Sequence, residues 1–401
     1  MSGQSQDRRG ENGRARGGAG PGGVLLSIVI PTRNRLAMLR RAVASVADQA
    51  DAMNGPMEAI SGPRGLEICI ADDGSTDGTG AWLAGLSACD AGACAYDAGP
   101  SACNARTDRA SPGLIRTVRS GGGGEAAARN AGVGLARGAW VMFLDDDDAL
   151  APGALGLVAS LLRGEHGVPR GVAAIKTRAG EIGPGGGEEH TVGSEALTGG
   201  CDRGGPQVRL HATLAECLAS RGTFGGIGGL IIRRELLGPE PFGRFGGNCV
   251  DVMMQLGHGH IGPVADVASP AVWLVGRHPG QASRDPVRIA EGVRMLLEQA
   301  RSAGGACPHL GGTGAGAGRA SRSVARVLAN NLRHAIRIQM QHGRWAEAAS
   351  LYRALLPLAL RARQPGFVLR WPLGMLWRMG QRAGVRAAGR FMGRGGRSAG
   401  V

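Results

Sequence analysis

Residues 24–35 read VLLSIVIPTRNR and set the pattern for the N-terminal part of the chain. The β-branched run at residues 25–30 predicts a buried strand, and the amphipathic stretch at 36–47 predicts a helix directly after it. The same alternation recurs at 66–71 and 79–86. Because parallel strands need crossover connections, this βαβα order predicts a parallel sheet flanked by helices.

Strand-like and helix-like segments continue to alternate towards residue 285. The strand-like segments are 114–118, 139–144, 229–232 and 271–275, and the helix-like ones are 125–136, a short stretch after 212 and 251–256. Two segments rich in Gly, Ala and Ser, residues 87–112 and 179–206, interrupt this order. We interpret them as surface insertions.

The composition divides the chain into four regions. Residues 1–23 are polar and rich in Arg and Gly, which predicts a disordered leader. Residues 24–285 hold the α/β pattern, and residues 286–320 are predicted to be a helix and a Gly/Ala-rich linker at 304–318. Residues 321–401 form a basic C-terminal region with helical patterns at 324–340 and 345–362.

The formal net charge is +14 and the pI is near 10.8, a balance that can favour nucleic acid or anionic membranes. Nearly all the basic residues are Arg, Lys176 is the only Lys, and Gly reaches 72, so a bias of the whole composition explains much of the charge. Nucleic-acid recognition modules are also missing from the sequence. We therefore predict no nucleic-acid partner.

The spacing of the cysteines and the length of the apolar runs indicate the cellular compartment. The eight cysteines form no CxxC pair and no zinc-type spacing, which favours scattered reduced thiols. The N-terminal residues lack the apolar core of a signal peptide, and no uncharged apolar run reaches the roughly 18 residues of a membrane span. These features predict a cytoplasmic protein.

Two motifs follow the first two predicted strands. Pro31, Thr32 and Arg33 stand where a strand gives way to a helix, which is where ligands bind in open α/β sheets. Asp72 and Asp73 follow the second strand in the run ADDGSTDG, and their carboxylates could accept hydrogen bonds from a base or ribose. Ordinary explanations remain open for both, namely a helix-start turn for the first and an Asx turn for the second.

Two further motifs carry charge. The run Asp145, Asp146, Asp147 and Asp148 follows a strongly apolar strand, and four adjacent carboxylates repel one another unless a cation or solvent neutralises them. A metal site explains this run better than a solvated acidic turn does. In the helix-like run GEAAARNAG at 124–132, Arg129 and Asn130 could reach phosphate or sugar hydroxyls, although packing alone could explain the alanines.

The four motifs together resemble the family 2 glycosyltransferases with the GT-A fold. The matching pieces are SIVIPTRNR, ADDGSTDGT, AARNAG and FLDDDD, and their joint occurrence is more specific than any one of them. The resemblance continues more loosely to about residue 285. It implies an α/β, Rossmann-like and mostly parallel GT-A sheet flanked by helices, with a C-terminal helical extension.

The resemblance also implies roles for individual residues. The nucleotide base is expected near the first motif and Asp73, and Asp145 with Asp147 is the DxD pair for a divalent cation, Mg²⁺ or Mn²⁺. Asp251 is the expected catalytic base, and His278 can complete the shell around the metal and diphosphate. Donor-binding roles are expected for Pro31, Thr32, Arg33, Asp72, Asp73, Arg129, Asn130, Asp146 and Asp148.

Several positions depart from the family pattern. Val250 stands where a Glu usually precedes the base, Arg33 replaces a common aromatic, and Gly or Ser occupies 120–124 where an Asn is frequent. A helix cap remains an alternative for Asp251, and a structural or surface role remains one for His278.

The function implied by the resemblance is inverting transfer of a sugar from a nucleotide diphosphate donor to an acceptor hydroxyl, and the expected donor is a UDP-sugar. The acceptor is expected to be an unidentified glycan or lipid-linked sugar of cell-surface polysaccharide or glycolipid synthesis. The Arg-studded tail suggests peripheral contact with the inner face of the membrane, or else a helical cap or oligomerisation arm. A nucleotidyltransferase and a degenerate nucleotide-sugar-binding protein are the alternative functions.

Overall fold

The computed structural model describes most of the predicted α/β region and part of the C-terminal region. The described residues are 24–50, 65–90, 114–181, 205–221, 226–244, 249–278, 281, 284–301 and 315–364. The predicted leader, most of both insertions and the end of the tail lie outside these ranges.

The described strands form one sheet of nine strands with the order β3-β2-β1-β4-β8-β6-β9-β5, and β7 pairs with β9. Strands β3, β2, β1 and β4 are parallel neighbours. Strand β8 lies antiparallel between β4 and β6, β6 pairs with β9 in parallel, and β5 and β7 pair with β9 antiparallel. The strands are β1 (Leu26–Thr32), β2 (Leu66–Asp72), β3 (Ile115–Arg119), β4 (Trp140–Phe143), β5 (Ala149–Leu150), β6 (Ala174–Glu181), β7 (Gln207–His211), β8 (Leu230–Arg233) and β9 (Val264–Val275).

Helices connect and cover this sheet, so the predicted α/β architecture is confirmed. The α-helices of the described residues are α1 (Leu36–Ala47), α2 (Thr79–Asp90), α3 (Glu125–Leu135), α4 (Ala154–Leu162), α5 (Leu214–Arg221), α6 (Val250–Gly257), α7 (Pro286–Arg301), α8 (Ala315–Gln341) and α9 (Trp345–Arg361).

Strand β1 is the centre of the N-terminal half. All seven of its residues are buried, because it lies between β2 and β4 and is covered by helices on its faces. Helix α3 crosses it closely at Gly132, where an added Cβ would lie 2.5 Å from Cγ1 of Val29. Small residues in α3 therefore set the distance between helix and sheet, as the alanine-rich motif suggested.

The predicted strands and helices are present, but the sequence analysis missed some strands and predicted β9 too short. The predicted strand at 271–275 begins at Val264, and strands β5, β6 and β7 were not predicted. Strand β6 contains Lys176 and Arg178, which hide its apolar pattern, and it reaches Glu181, so residues 179–181 are strand rather than insertion. Sheet pairing with β8 and β9 stabilises this strand despite its polar residues.

The C-terminal helices pack on the α/β region. Helix α8 contacts α5, α7 and α9, and buried residues of these helices belong to one apolar cluster. Helix α8 begins at Ala315, inside the segment predicted to be a linker, because extending a formed helix through Ala and Gly costs little compared with nucleating one. Among the described helices, none is long and apolar enough to cross a membrane.

Candidate active site

The candidate site lies where the central parallel strands end. β1 ends at Thr32, β2 ends at Asp72 and β4 ends at Phe143, just before the acidic run. Because these strands are parallel neighbours, their carboxyl ends share one edge of the sheet. The fold therefore brings the first three sequence motifs together.

Three of the four consecutive carboxylates form a cluster. Carboxylate oxygens of Asp145, Asp147 and Asp148 all lie within 4.8 Å of one another. His278 Nε2 lies 2.9 Å from Oδ2 of Asp147, and the Gly276 amide donates to Oδ1 of Asp148 at 3.0 Å. Burial, reinforced by the neighbouring carboxylates, holds the pKa of Asp148 well above its usual range.

Arginines surround this carboxylate cluster. Arg129 Nη2 lies 2.7 Å from Oδ1 of Asp145, and Arg35 Nη1 lies 3.5 Å from Oδ2 of Asp147. Arg41 donates to the backbone oxygen of Asp147 at 2.7 Å. These contacts fix the acidic turn from both sides while a third of the Asp145 side chain stays exposed.

Asp146 is not part of the cluster and makes separate contacts within the protein. It is buried, and it accepts hydrogen bonds from Thr32 Oγ1 at 2.8 Å and from Arg35 Nη1 at 2.9 Å. Burial raises the pKa of Asp146 to about 6. Thr32 and Asp146, both predicted to bind the donor, thus tie the first motif to the acidic turn, and Pro31 lies buried in β1 opposite Ala71.

Hydrogen bonds to the carboxylate of Asp73 connect three loops. Its carboxylate accepts from Arg33 Nη1 at 3.2 Å, from Ser120 Oγ at 2.9 Å and from the Gly124 amide at 3.1 Å. Gly124 adopts φ = 87°, a conformation that favours glycine, so the chain can turn its amide towards this carboxylate. Asp73, Arg33 and the glycine-rich loop at 120–124 therefore form one wall.

Asp72 makes a different contact. Its Oδ1 accepts from the Ser75 amide at 2.8 Å and closes the Asx turn that the sequence left open as an alternative. The structure gives this side chain a local structural role, and donor binding by it stays a prediction.

Helix α3 presents Arg129 to the carboxylates and Asn130 away from them. Arg129 is buried, pairs with Glu125 as well as Asp145, and has its guanidinium carbon 5.6 Å from the centre of the Phe242 ring. Asn130 Nδ2 donates to the Gly243 oxygen at 2.8 Å, and its Oδ1 accepts from the Phe242 amide at 3.0 Å. Asn130 therefore anchors the segment at 242–243, and its predicted donor contact remains untested.

Asp251 lies in the first turn of α6. Its Oδ1 accepts from the Val252 amide at 2.8 Å, which is the helix-start contact considered for it. Burial raises its pKa to about 6; the positive charge of Arg129 acts the other way, and the charges of Glu125 and Asp145 raise the pKa further. Asp251 is therefore placed within electrostatic reach of the acidic cluster and has the pKa of a usable base.

The cluster has the chemistry of a divalent-cation site. Three carboxylates converge with His278 at their side, and Mg²⁺ and Mn²⁺ favour oxygen ligands. The raised pKa of Asp148 shows that ionising this carboxylate beside the others is costly without a nearby cation. Asp145 and Asp147, the predicted metal pair, are both members of this cluster, and the role predicted for Asp148 near the sugar stays a prediction.

A second group of candidate ligands, His211, Cys217 and Asp266, does not have this character. Arg221 Nε donates to Oδ1 of Asp266 at 3.0 Å and already neutralises it. Burial raises the pKa of the Cys217 thiol to about 12, so the thiolate that a metal needs is disfavoured. We interpret this group as a structural ion pair.

The sequence did not identify several residues of the site. Arg35 lies inside the first motif, and its position three residues after Thr32 could have suggested it. Glu125 opens the helix that carries Arg129, at the i, i+4 spacing of a helical ion pair. Lys176, Gly226 and Trp273 come from distant segments that only the folded sheet brings towards Asp251.

The fold and the site define a class: α/β proteins with a candidate ligand and cation site at the carboxyl edge of a parallel sheet. Residues 27–173 match the family Glycosyl transferase family 2. The resemblance inferred from the four motifs is thereby confirmed for this segment. Asp251 and His278 lie beyond the matched residues.

Comparison with known proteins gives one curated relative and several structures. Over 130 residues the chain is 31% identical to the GalNAc(5)-diNAcBac-PP-undecaprenol beta-1,3-glucosyltransferase of Campylobacter jejuni subsp. jejuni serotype O:2, a match covering 32% of each protein. The chain thus spans about a third of the length of the curated relative it matches.

Two solved structures are among those that the comparison matched to this chain. S. aureus TarS 1-349 is 14% identical, with a TM-score of 0.46, and the match covers 85% of this chain and 92% of that one. The mannosyltransferase PcManGT from Pyrobaculum calidifontis, solved in complex with GDP-Man and Mn²⁺, is 15% identical, with a TM-score of 0.41 and coverage of 88% and 87%.

Proposed function

We propose that this protein is an inverting glycosyltransferase that moves a sugar from a nucleotide diphosphate donor to an acceptor hydroxyl. The observation that carries the proposal is the convergence of Asp145, Asp147 and Asp148 at the edge where the family 2 motifs meet. Asp73 follows β2 at this edge, and the carboxylate of Asp251 lies within electrostatic reach of Asp145 and Arg129.

Each part of the site has a task in this reaction. The wall formed by Asp73, Arg33 and the 120–124 loop takes the nucleoside. Asp145 and Asp147, with Asp148 or His278, would hold a Mg²⁺ or Mn²⁺ ion, which when bound neutralises charge on the leaving diphosphate. Arg35 and Arg129 keep these carboxylates in position.

Asp251 acts on the acceptor. Its carboxylate removes the proton from the attacking hydroxyl, and a single displacement at the anomeric carbon inverts its configuration. A pKa near 6 suits this task, because the group is ionised at neutral pH and yet more basic than an ordinary aspartate.

The substrate class is a narrower proposal. We take a UDP-sugar as the first donor to test and a lipid-linked sugar or glycan as the acceptor. The curated relative supports the acceptor, since its printed name includes an undecaprenol-linked glycan. An acceptor of this kind would be met at the inner face of a membrane, where we place the basic C-terminal region.

Release of nucleoside diphosphate from UDP-, GDP- and dTDP-sugars, with Mn²⁺ or with EDTA, tests the proposal. We expect release from one donor class, and loss of release in EDTA. Pyrophosphate formation from a nucleoside triphosphate and a sugar phosphate would instead indicate a nucleotidyltransferase. Binding of a nucleotide sugar by calorimetry without any turnover, in water or with octyl glycosides as acceptors, would indicate a binding protein.

A further inference from the structure

Lys176 is the only lysine in a chain with 46 basic Lys and Arg residues, and it is buried. It lies in β6 opposite Leu230 of β8. Burial lowers the pKa of its ammonium group to about 7, because the protein interior disfavours the charged form. A buried lysine in an arginine-rich chain calls for a specific explanation.

The ammonium group of Lys176 binds one short segment, residues 226–229. Its Nζ donates to the Gly226 oxygen at 2.6 Å and to the Gly228 oxygen at 3.0 Å. The next residue, Thr177, donates through Oγ1 to the Gly229 oxygen at 3.0 Å. Three backbone carbonyls of this segment are therefore turned towards β6.

Trp273 packs on the same segment. A Cβ added at Gly228 would lie 2.6 Å from ring atom Cζ3 of Trp273, and one at Gly229 would lie 2.4 Å from its Nε1. Gly229 also has φ = +66°, where side chains are strained. The segment is thus held between β6 and the indole ring, with no room for side chains at these two positions.

Gly226 differs from Gly228 and Gly229, because a Cβ added there would not clash with its neighbours. A Cβ added there would lie 3.9 Å from Oδ2 of Asp251 and 3.9 Å from Cη2 of Trp273, which is ordinary contact. Oδ1 of Asp251 accepts from the Val252 amide, and Oδ2 is the carboxylate oxygen that lies beside Gly226. The missing side chain therefore leaves a methyl-sized gap beside this carboxylate oxygen.

We propose that Lys176 is a positioning residue, which holds residues 226–229 against Trp273 so that the gap at Gly226 stays open for the nucleophile approaching Asp251. This role rests on the proposed function. An arginine could not replace the lysine, because the planar guanidinium is larger than the compact ammonium that fits between two carbonyls 2.6 and 3.0 Å away.

Two variants and their combination test the role, using donor hydrolysis, in which water is the nucleophile. Gly226→Ala fills the gap without steric clash, and Lys176→Met removes the charge while keeping the length of the side chain. We expect each to lower the turnover number by about 10- to 100-fold, the usual effect of misplacing a reacting group. The dissociation constant of the nucleoside diphosphate should stay within about twofold, since it binds at the Asp73 wall and the cluster.

The double variant separates positioning from general stability. If Lys176 acts through Gly226, Lys176→Met in the Gly226→Ala background should cause little further loss, because the two changes affect one gap. Gly156→Ala is the matched control, since an added Cβ there meets nothing within 4 Å. It should leave turnover unchanged and should raise the melting temperature slightly, because Gly156 lies inside α4 and alanine favours a helix over glycine.

Three results would overturn the proposal. Unchanged hydrolysis in Gly226→Ala would show that the gap does not serve the nucleophile. Multiplicative losses in the double variant, or a Lys176→Met variant that loses nucleotide affinity together with turnover, would indicate a structural role. Wild-type protein that releases no nucleoside diphosphate from any donor would overturn the proposed function itself, and this role with it.

Discussion

Neighbouring aspartates in the acidic run 145–148 have different environments. Asp145 and Asp147 face the edge of the sheet, whereas Asp146 is buried against Thr32 and Arg35. The sequence predicted a metal site in this run, and the family resemblance assigned Asp145 and Asp147 to it. It assigned Asp146 to donor binding and did not predict its contacts with Thr32 and Arg35, because these partners lie over a hundred positions away in the chain.

Asp251 gives a prediction for pH dependence. As the base it must be ionised, and its pKa is raised to about 6, chiefly by burial. The rate of donor hydrolysis should therefore fall about tenfold per unit as the pH drops below about 6. Asp251→Asn should lose this pH limb together with most of the rate, and the nucleoside diphosphate affinity measured over the same pH range is the control.

The same shift gives a prediction for stability. Because the folded-state pKa lies above the ordinary value of 3.8, the folded protein holds a proton that the unfolded chain has already lost between about pH 4 and 6. Stability from this group is thus present at low pH and is lost as the pH rises through that window. Asp251→Asn should melt higher than wild type at pH 7.5 and equally at pH 4; an equal or lower melting temperature at pH 7.5 would contradict the burial of this charge.

At the scale of elements, the contact between α3 and β1 positions Arg129 above the carboxylates. Gly132→Val should lower the free energy of unfolding by about 1–3 kcal/mol, because its Cβ alone would overlap Val29. Gly134→Val in the same helix is the matched control, since nothing lies within 4 Å of an added Cβ there. Urea denaturation of both variants tests this, and equal stabilities would contradict the close packing.

The sequence predicted the N-terminal elements well, because β1, β2 and β4 carry uninterrupted apolar runs that end in polar motifs. It missed β6 and the first half of β9, where Lys176, Asp266 and Pro270 interrupt the apolar pattern. These strands are stabilised by pairing with each other and with β8, a long-range property. The sequence alone therefore did not identify Lys176 as a candidate site residue.

At the scale of the whole molecule, the C-terminal helices belong to the folded core. Helices α8 and α9 bury Leu328, Leu332 and Leu351 in a cluster shared with α5 and α6. A chain ending at Gln364 should therefore keep the melting temperature of the full chain, whereas one ending at Gly318 should unfold or aggregate. Thermal melting of the two truncations measures this, and equal stability of both would contradict the shared core.

The truncation at Gln364 also tests the membrane proposal. Residues 365–401 contain Trp371, Trp377 and several Arg, a composition that favours anionic lipid surfaces. The full chain should sediment with phosphatidylglycerol vesicles, and the chain ending at Gln364 should remain in the supernatant. Equal partitioning of the two proteins would exclude the tail as the membrane contact.

The most direct test compares nucleoside diphosphate release by wild type and Asp147→Ala in Mn²⁺. The control is Asp48→Ala, at the C-cap of α1, which removes an aspartate that is not part of the acidic cluster. Removing a ligand of the cation should lower release by at least about 100-fold, because charge on the leaving diphosphate is no longer neutralised. Asp48→Ala should match wild type. Full activity of a folded Asp147→Ala protein, or release that persists in EDTA, would contradict the assignment of this cluster as the catalytic metal site.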